Sequence, residues 1–299
     1  MSHTIVMTGA SRGIGRVAAD QLLHRSRGAH LVAVVRDAAG LRLGGNASSV
    51  VADLNSLSSI RAAATEICER LDRGDLPPLR YFVGNAGIQH TDDLTAGPDG
   101  LESTFTVNVL ANHMFVRAFR DRFTAGGRIA ITTSDTHFGD LRHNMAMVPA
   151  PVWREPEVLA RTAAFPRPET TRAGRTAYST SKLAVLYLVH EYARRLPAGV
   201  DVVAFNPGFV PGTELARNAG VIDRFLMRNI LPLLTHTPFG SSPEDAGRRL
   251  ADAVLGDAVT GSYIDRDRPA RSSPESTDVQ RERKLWEAVE RLVASDPAM

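Results

Sequence analysis

A phenol and an ammonium stand four residues apart in Tyr178-Ser-Thr-Ser-Lys182. On a helix, that spacing puts both on one face, one turn from each other. A nearby cation favours tyrosinate and lowers the Tyr pKa from about 10. The pair is therefore a candidate proton donor and acceptor near neutral pH. The spacing alone is common by chance, and a second constellation at the other end of the chain gives it weight.

That constellation is a glycine-rich turn. His3-Thr-Ile-Val-Met-Thr8 reads as a short strand rich in β-formers, and Gly9-Ala-Ser-Arg-Gly-Ile-Gly15 follows at once. Arg16 to Arg25 then has helical spacing, with Val17, Leu22 and Leu23 apolar. Strand, glycine-rich turn and helix are the setting a dinucleotide fingerprint requires. Glycines let the backbone turn tightly and approach a pyrophosphate, and the helix N-terminus offers it free N–H groups and a positive dipole end. The spacing here is Gly-x-x-x-Gly-x-Gly.

The elements that must position these groups alternate along the chain. Strand-like runs lie at 30–35, at 50–51 before Asp53, at 79–83, 127–132, 200–205 and 259–264. Helical runs lie near 56–72, 101–123, 179–196 and 243–255. Apolar strands alternating with helices imply a parallel sheet covered on both faces. Candidate chemical residues follow strand C-termini, where open α/β sheets bind ligands. The expectation is one α/β domain over residues 1–299, Rossmann-type and doubly wound, with a mostly parallel sheet of seven strands.

Composition narrows the class. The 299 residues are 43% hydrophobic and 23% charged, an ordinary balance for a chain with a sizeable core. A formal net charge of +2 gives no reason to expect nucleic acid. The single cysteine, Cys68, excludes an intrachain disulfide and favours a cytoplasmic location. It lies in a helix-like run and is expected to pack as a small apolar residue. No apolar stretch approaches the roughly 18 residues of a membrane span. The nine histidines form no His-x-x-x-His or other compact zinc pattern, so no metal is expected.

Taken in order, Thr8-Gly-Ala-Ser-Arg-Gly-Ile-Gly15, Asp53-Leu54, Asn85-Ala-Gly87, Asn108, Ser134, Tyr178-Ser-Thr-Ser-Lys182 and Asn206-Pro-Gly208 resemble the short-chain dehydrogenase/reductase family. The matches span residues 4 to about 215. Farther on, Ser242-Pro-Glu-Asp-Ala-Gly247, Thr260-Gly-Ser-Tyr-Ile264, Ser273-Pro-Glu-Ser276 and Lys284-Leu-Trp-Glu287 resemble its retinol-dehydrogenase and protochlorophyllide-reductase-like branch. The branch also includes carbonyl-reductase-like members.

The resemblance implies roles. Tyr178 is the acid in carbonyl reduction and the base in alcohol oxidation. Lys182 holds the Tyr pKa down and bonds the nicotinamide ribose. Ser134 donates to the substrate oxygen, and Asn108, within a helix, supports a proton-relay water behind Lys182. Thr133 stands where the family commonly has a first serine, and Asp135 directly after Ser134 is less usual. The cofactor contacts implied are Gly9, Ser11, Arg12, Gly13, Ile14, Gly15, Arg36, Asp53, Leu54, Asn85, Ala86, Gly87, Tyr178, Lys182, Pro207, Gly208, Val210 and Thr213. Arg12 and Arg36 occupy positions that bind the NADP 2′-phosphate in the family, and guanidinium suits phosphate. Asp37 falls one position late for the acid of an NAD user. Gly84 replaces an asparagine many members have.

The expected function is NADPH-dependent reduction of a ketone or aldehyde on a hydrophobic small molecule, reversible to the alcohol. Two alternatives stand beside it: a carbon–carbon double-bond reductase of the protochlorophyllide type, and a dinucleotide-binding protein without catalysis. Residues 135–177, with five prolines, form an insertion between Ser134 and Tyr178. Long loops of this kind are often functional. The expectation is that it walls the substrate site, anchored by Phe138, Trp153 and Phe165, and makes the protein a monomer. Residues 214–240 are the expected substrate lid, apolar through Phe225, Leu226, Met227, Leu231, Leu233 and Leu234.

Overall fold

The computed structural model describes residues 1–39, 41–144, 147–210 and 240–294. Strands β1 (His3–Thr8), β2 (Ala29–Val35), β3 (Ala47–Val51), β4 (Leu79–Gly84), β5 (Phe123–Thr132), β6 (Val200–Asn206), β7 (Tyr263–Asp265) and β8 (Arg268–Ala270) make one sheet. Its order is β3-β2-β1-β4-β5-β6-β7-β8. All pairings are parallel except β7 with β8. The seven expected strands are thus joined by an eighth. It is a three-residue, fully exposed strand containing Pro269, short enough to escape a periodicity reading.

The longer helices are α1 (Gly13–Arg25), α2 (Leu57–Asp72), α4 (Ala111–Phe119), α7 (Thr171–Arg195), α8 (Pro243–Leu255) and α9 (Val279–Ala294). Short turns α3 (Ser103–Phe105), α5 (Leu141–Asn144) and α6 (Pro156–Leu159) lie between them. Strand side chains alternate between two cores. Val6, Val32 and Ile129 face the layer of α2, α4 and α7, whereas Ile5, Leu31 and Val203 face α1 and α8. This is why the strands read as continuous apolar runs. Gly247 lets α8 approach α1, because a Cβ there would meet Val17 Cβ at 2.5 Å.

Helix α7 starts earlier than the sequence suggests, at a cap where Thr170 Oγ1 accepts from Ala173 N at 3.3 Å. Of its 25 residues, 18 are buried, so little of its circumference meets water. Two segments cover the side turned away from the sheet. One is α9, whose Trp286 meets Tyr192 edge-on at 5.1 Å and whose Glu282 bonds His190 at 2.7 Å and Arg194 at 2.5 Å. The other is the 135–177 insertion. Trp153 meets Tyr187 edge-on at 4.8 Å, and Val152 N donates to Thr180 Oγ1 at 3.0 Å.

The insertion is also tied to the loop after β4. Buried Asp93 accepts from Ala163 N through its carbonyl and from Phe165 N through its carboxylate, and its own N–H donates to Pro168 O. Burial pushes the Asp93 carboxyl up to about 6. Trp153 therefore serves as an anchor, seated nine residues along α7 from Tyr178. Trp153→Ala should cost about 2–4 kcal/mol of stability, measured by urea unfolding, with cofactor affinity retained. A variant as stable as the parent would remove the anchoring role. No helix among the described residues is long and apolar enough to cross a membrane.

Candidate active site

The strand order reverses between β2-β1 and β4, so the crevice outside β1 and β4 is the switch point where such sheets bind ligands. Both glycine-bearing loops meet there. A Cβ on Gly9, whose φ is +70°, would lie 2.9 Å from Ala86 Cα, and a Cβ on Gly15 would collide with the Gly9 carbonyl. Asn85 Nδ2 donates to Gly9 O at 3.2 Å, and Ala86 N donates to Thr8 Oγ1 at 3.1 Å. These contacts fix the turn tightly. Gly13, at φ +51°, has nothing within 4 Å of its Cβ position and faces open space before the N-terminus of α1. A backbone cradle of this kind, at a helix N-terminus, fits a pyrophosphate.

Arg12 precedes α1 in extended backbone, and Arg36 directly follows β2. Thr8 pairs with Val34, so both guanidinium-bearing loops rise from adjacent strands at the same edge. Both arginines are exposed. Asp37 Oδ1 accepts from Ala39 N at 2.7 Å, closing a local turn. Asp53 is likewise exposed and turns the chain through Asn55 N, while Leu54 is buried beside it.

From α7, Lys182 reaches the Gly87 loop that follows β4, and Tyr178 lies one turn earlier on the same helix. Lys182 Nζ lies 5.5 Å from the Tyr178 ring centroid and donates to Thr132 O at 3.0 Å. Thr133, in the place of the family's first serine, donates to Lys182 O at 2.9 Å and so pins α7 to the end of β5. Ser134 lies beside the Tyr178 phenol. A Cβ on Gly87 would lie 3.3 Å from both Lys182 Nζ and Asn108 Oδ1, so this glycine opens the space over the lysine.

Asn108 sits in a π-helical turn, Thr106–Leu110, between α3 and α4. Its side chain accepts from Ile88 N at 2.9 Å and donates to Ile88 O and Ser181 Oγ. It therefore ties the Gly87 loop to α7. π-turns concentrate at functional positions. The missing Gly84 side chain also has a counterpart here. A Cβ at Gly84 would clash with Asn112 Oδ1, and Asn112 Nδ2 donates to Asn108 O at 2.8 Å.

The electrostatics differ from the expectation of a lowered tyrosine. Burial pushes the Tyr178 phenol above its ordinary value, and the neighbouring Ser134 only partly offsets it. Burial pushes Lys182 down to about 8. Both groups are nearly dry, so the cost of desolvating each charge exceeds what their separation returns. The spacing in sequence gives the proximity but not the burial.

A family model for short chain dehydrogenases matches residues 3–146. Human retinol dehydrogenase 13 is 30% identical over 311 residues, covering 97% of this chain and 84% of that protein. The chain belongs to the short-chain dehydrogenase/reductase family. A relative of this oxidoreductase in Streptomyces sp. strain C5, named for daunorubicin C-13 ketoreductase activity, is 32% identical over 295 residues, covering 96% of this chain and 91% of that protein. The NADPH-bound carbonyl reductase from chicken fatty liver has the same fold at 19% identity, with a TM-score of 0.61, covering 91% of this chain and 99% of that one.

Within this family member, Pro207 and Gly208 lie at the end of β6 beside Ser241 and Arg266, with Gly208 N donating to Asn206 Oδ1 at 3.1 Å. Val210 is buried next to them. Thr213, and all of the expected 214–240 lid except Gly240, lie outside the described residues. Cys68 is buried in α2 with its thiol pushed up by burial. Among the described residues no group of three or more His, Cys, Asp or Glu is arranged to hold a metal.

As a lone histidine of the insertion, His137 could meet substrate but is expected from the sequence to be solvated; it is instead buried: Nδ1 lies 2.5 Å from Ser134 O, and Nε2 accepts from Ser273 N at 3.1 Å. Nε2 acting as acceptor puts the ring hydrogen on Nδ1. Burial holds the imidazole neutral, down to about 4. Its place three residues after Ser134 was the only local signal.

Proposed function

We propose that the chain is an NADPH-dependent reductase of ketones or aldehydes on hydrophobic small molecules, reversible toward the alcohol. One observation carries the reading: a buried Tyr178 beside Ser134, with Lys182 on the same helix face beside the opening at Gly87. NADPH, when bound, supplies the hydride for the carbonyl carbon. Tyr178 gives its proton to the carbonyl oxygen, and Ser134 donates a hydrogen bond to the same oxygen as charge builds there. A raised phenol stays protonated at neutral pH, which suits the acid of reduction. Lys182, charged below about 8, faces the opening where the nicotinamide ribose would lie. The names of the retinol dehydrogenase and ketoreductase relatives agree with an alcohol–carbonyl couple.

Double-bond reduction is a second reading, supported by similarity to barley protochlorophyllide reductase B, 27% identical over 326 residues. NADPH oxidation measured against hydrophobic ketones, aldehydes and activated alkenes separates the two. Turnover only with alkenes would overturn the carbonyl reading, and binding without turnover of any of them would favour a non-catalytic protein.

The same reading includes a monomer. Compact members use the helix equivalent to α7 as a subunit interface, and here α9 and the insertion cover it. Light scattering should report about one chain mass, 32.3 kDa. A tetramer assembled through α7 would refute the covering role.

A further inference from the structure

Ser134 has one hydroxyl hydrogen and several claims upon it. Its Oγ lies 3.3 Å from Asp135 Oδ1 and accepts from Thr136 N at 3.3 Å, and it also meets the Tyr178 phenol. If it is to stabilise a substrate oxygen, its hydrogen must point there. A carboxylate next door competes for that hydrogen, because charge-assisted bonds are about twice as strong as neutral ones.

The Asp135 position is held on both sides. Asp135 N donates to Asn206 Oδ1 at 3.3 Å, and Asn206 Nδ2 donates to Asp265 Oδ1 at 2.9 Å. On the other side, His137 Nδ1 donates to Ser134 O. These bonds fix the Ser134–Asp135 backbone at the junction of β5, β6 and β7, and the carboxyl itself is held to Ser134 Oγ by the 3.3 Å bond.

We propose that Asp135 is a positioning residue for carbonyl reduction: protonated, it donates to Ser134 Oγ and frees the serine hydrogen for the substrate oxygen; ionised, it takes that hydrogen itself. The proposal rests on the carbonyl-reductase reading above. The surrounding charges place the switch in a useful range. Burial is the main cause raising the carboxyl, to about 6, and the nearby Asp265 adds to it. The Ser134 hydrogen bond, His143 and Arg266 act against it. Tyr178 and Tyr263 also face it, and both phenols are raised by its charge. His137, held neutral, offers no countercharge.

The test is the pH profile of kcat for ketone reduction at saturating NADPH, from pH 4.5 to 8.5. The unmodified enzyme should lose about tenfold as pH rises through about 6, the loss expected when one oxyanion donor is weakened rather than deleted. Asp135→Asn keeps a donor at every pH, so that limb should vanish with NADPH affinity unchanged. A limb that persists in Asp135→Asn overturns the proposal, since a merely structural role predicts no loss of pH dependence. A second readout does not need turnover. The carboxyl ¹³C signal absent from Asp135→Asn should titrate near 6 and move higher in Ser134→Ala, which removes the hydrogen bond to the carboxylate. A signal unmoved by Ser134→Ala overturns the proposal even if no carbonyl compound is reduced. Absence of carbonyl turnover with the ¹³C coupling intact instead counts against the reaction assigned, not the hydrogen bond.

Discussion

Tyr178→Phe should lower ketone-reduction turnover by about 10²–10⁴-fold, the usual size of a lost general acid, while NADPH affinity changes little. The variant keeps the ring and its packing in a position only 7% exposed. It removes only the phenolic hydroxyl, the proposed proton donor. Lys182→Ala should behave differently. Lys182 Nζ donates to Thr132 O and borders the Gly87 opening, so both turnover and cofactor affinity should fall. Steady-state kinetics with fluorescence titration of NADPH separates the two patterns. Near-normal turnover in Tyr178→Phe would show that another group delivers the proton.

Arg36→Ala should weaken NADPH binding by about 1.5–3 kcal/mol, roughly 10- to 150-fold, the range for a lost charge-assisted contact. NADH binding should stay the same. The argument is one of geometry at the sheet edge. Arg36 follows β2 and Arg12 follows β1, and the two strands pair through Thr8 and Val34. A 2′-phosphate on the adenosine side would meet both. Asp37 lies one residue past the strand-end position and turns the chain locally through Ala39 N. Because both guanidiniums are exposed, the NADPH preference should shrink at high salt. Calorimetric titration of each cofactor at two salt concentrations measures this, and equal affinity for both cofactors in the unmodified protein would dismiss the assignment.

The features legible in the sequence are local ones. Apolar runs show the strands because both faces of the sheet are covered, and the glycine turn shows itself because strand and helix flank it directly. Tyr178 and Lys182 were legible because helical spacing alone puts them on one face. What escaped depends on distant partners. Asn112 fills the volume that Gly84 leaves, but the two are 28 positions apart and meet only across β4 and α4. The polarity of the site escaped for a similar reason. Spacing brought a lysine beside a tyrosine, and burial then reversed the expected direction of the phenol shift. The early start of α7 was hidden because Thr171 to Ala177 is polar and Arg-rich, and its contacts come from the loop after β4, where Gly174 packs against His90 and Asp92.

The closure of α7 by α9 also sets a schedule for the growing chain. Glu282 is made 92 residues after the His190 it bonds. During synthesis, the helix bearing Tyr178 and Lys182 leaves the ribosome with Tyr192, His190 and Arg194 still without their α9 partners. It stays an adhesive surface until the segment 279–294 arrives. Contacts so distant along the chain are slow to form, and exposed apolar faces in unfinished chains invite aggregation. Nascent chains arrested before residue 279 should therefore be chaperone-bound and protease-sensitive around α7, although every residue of the Ser134, Tyr178 and Lys182 set has already been made.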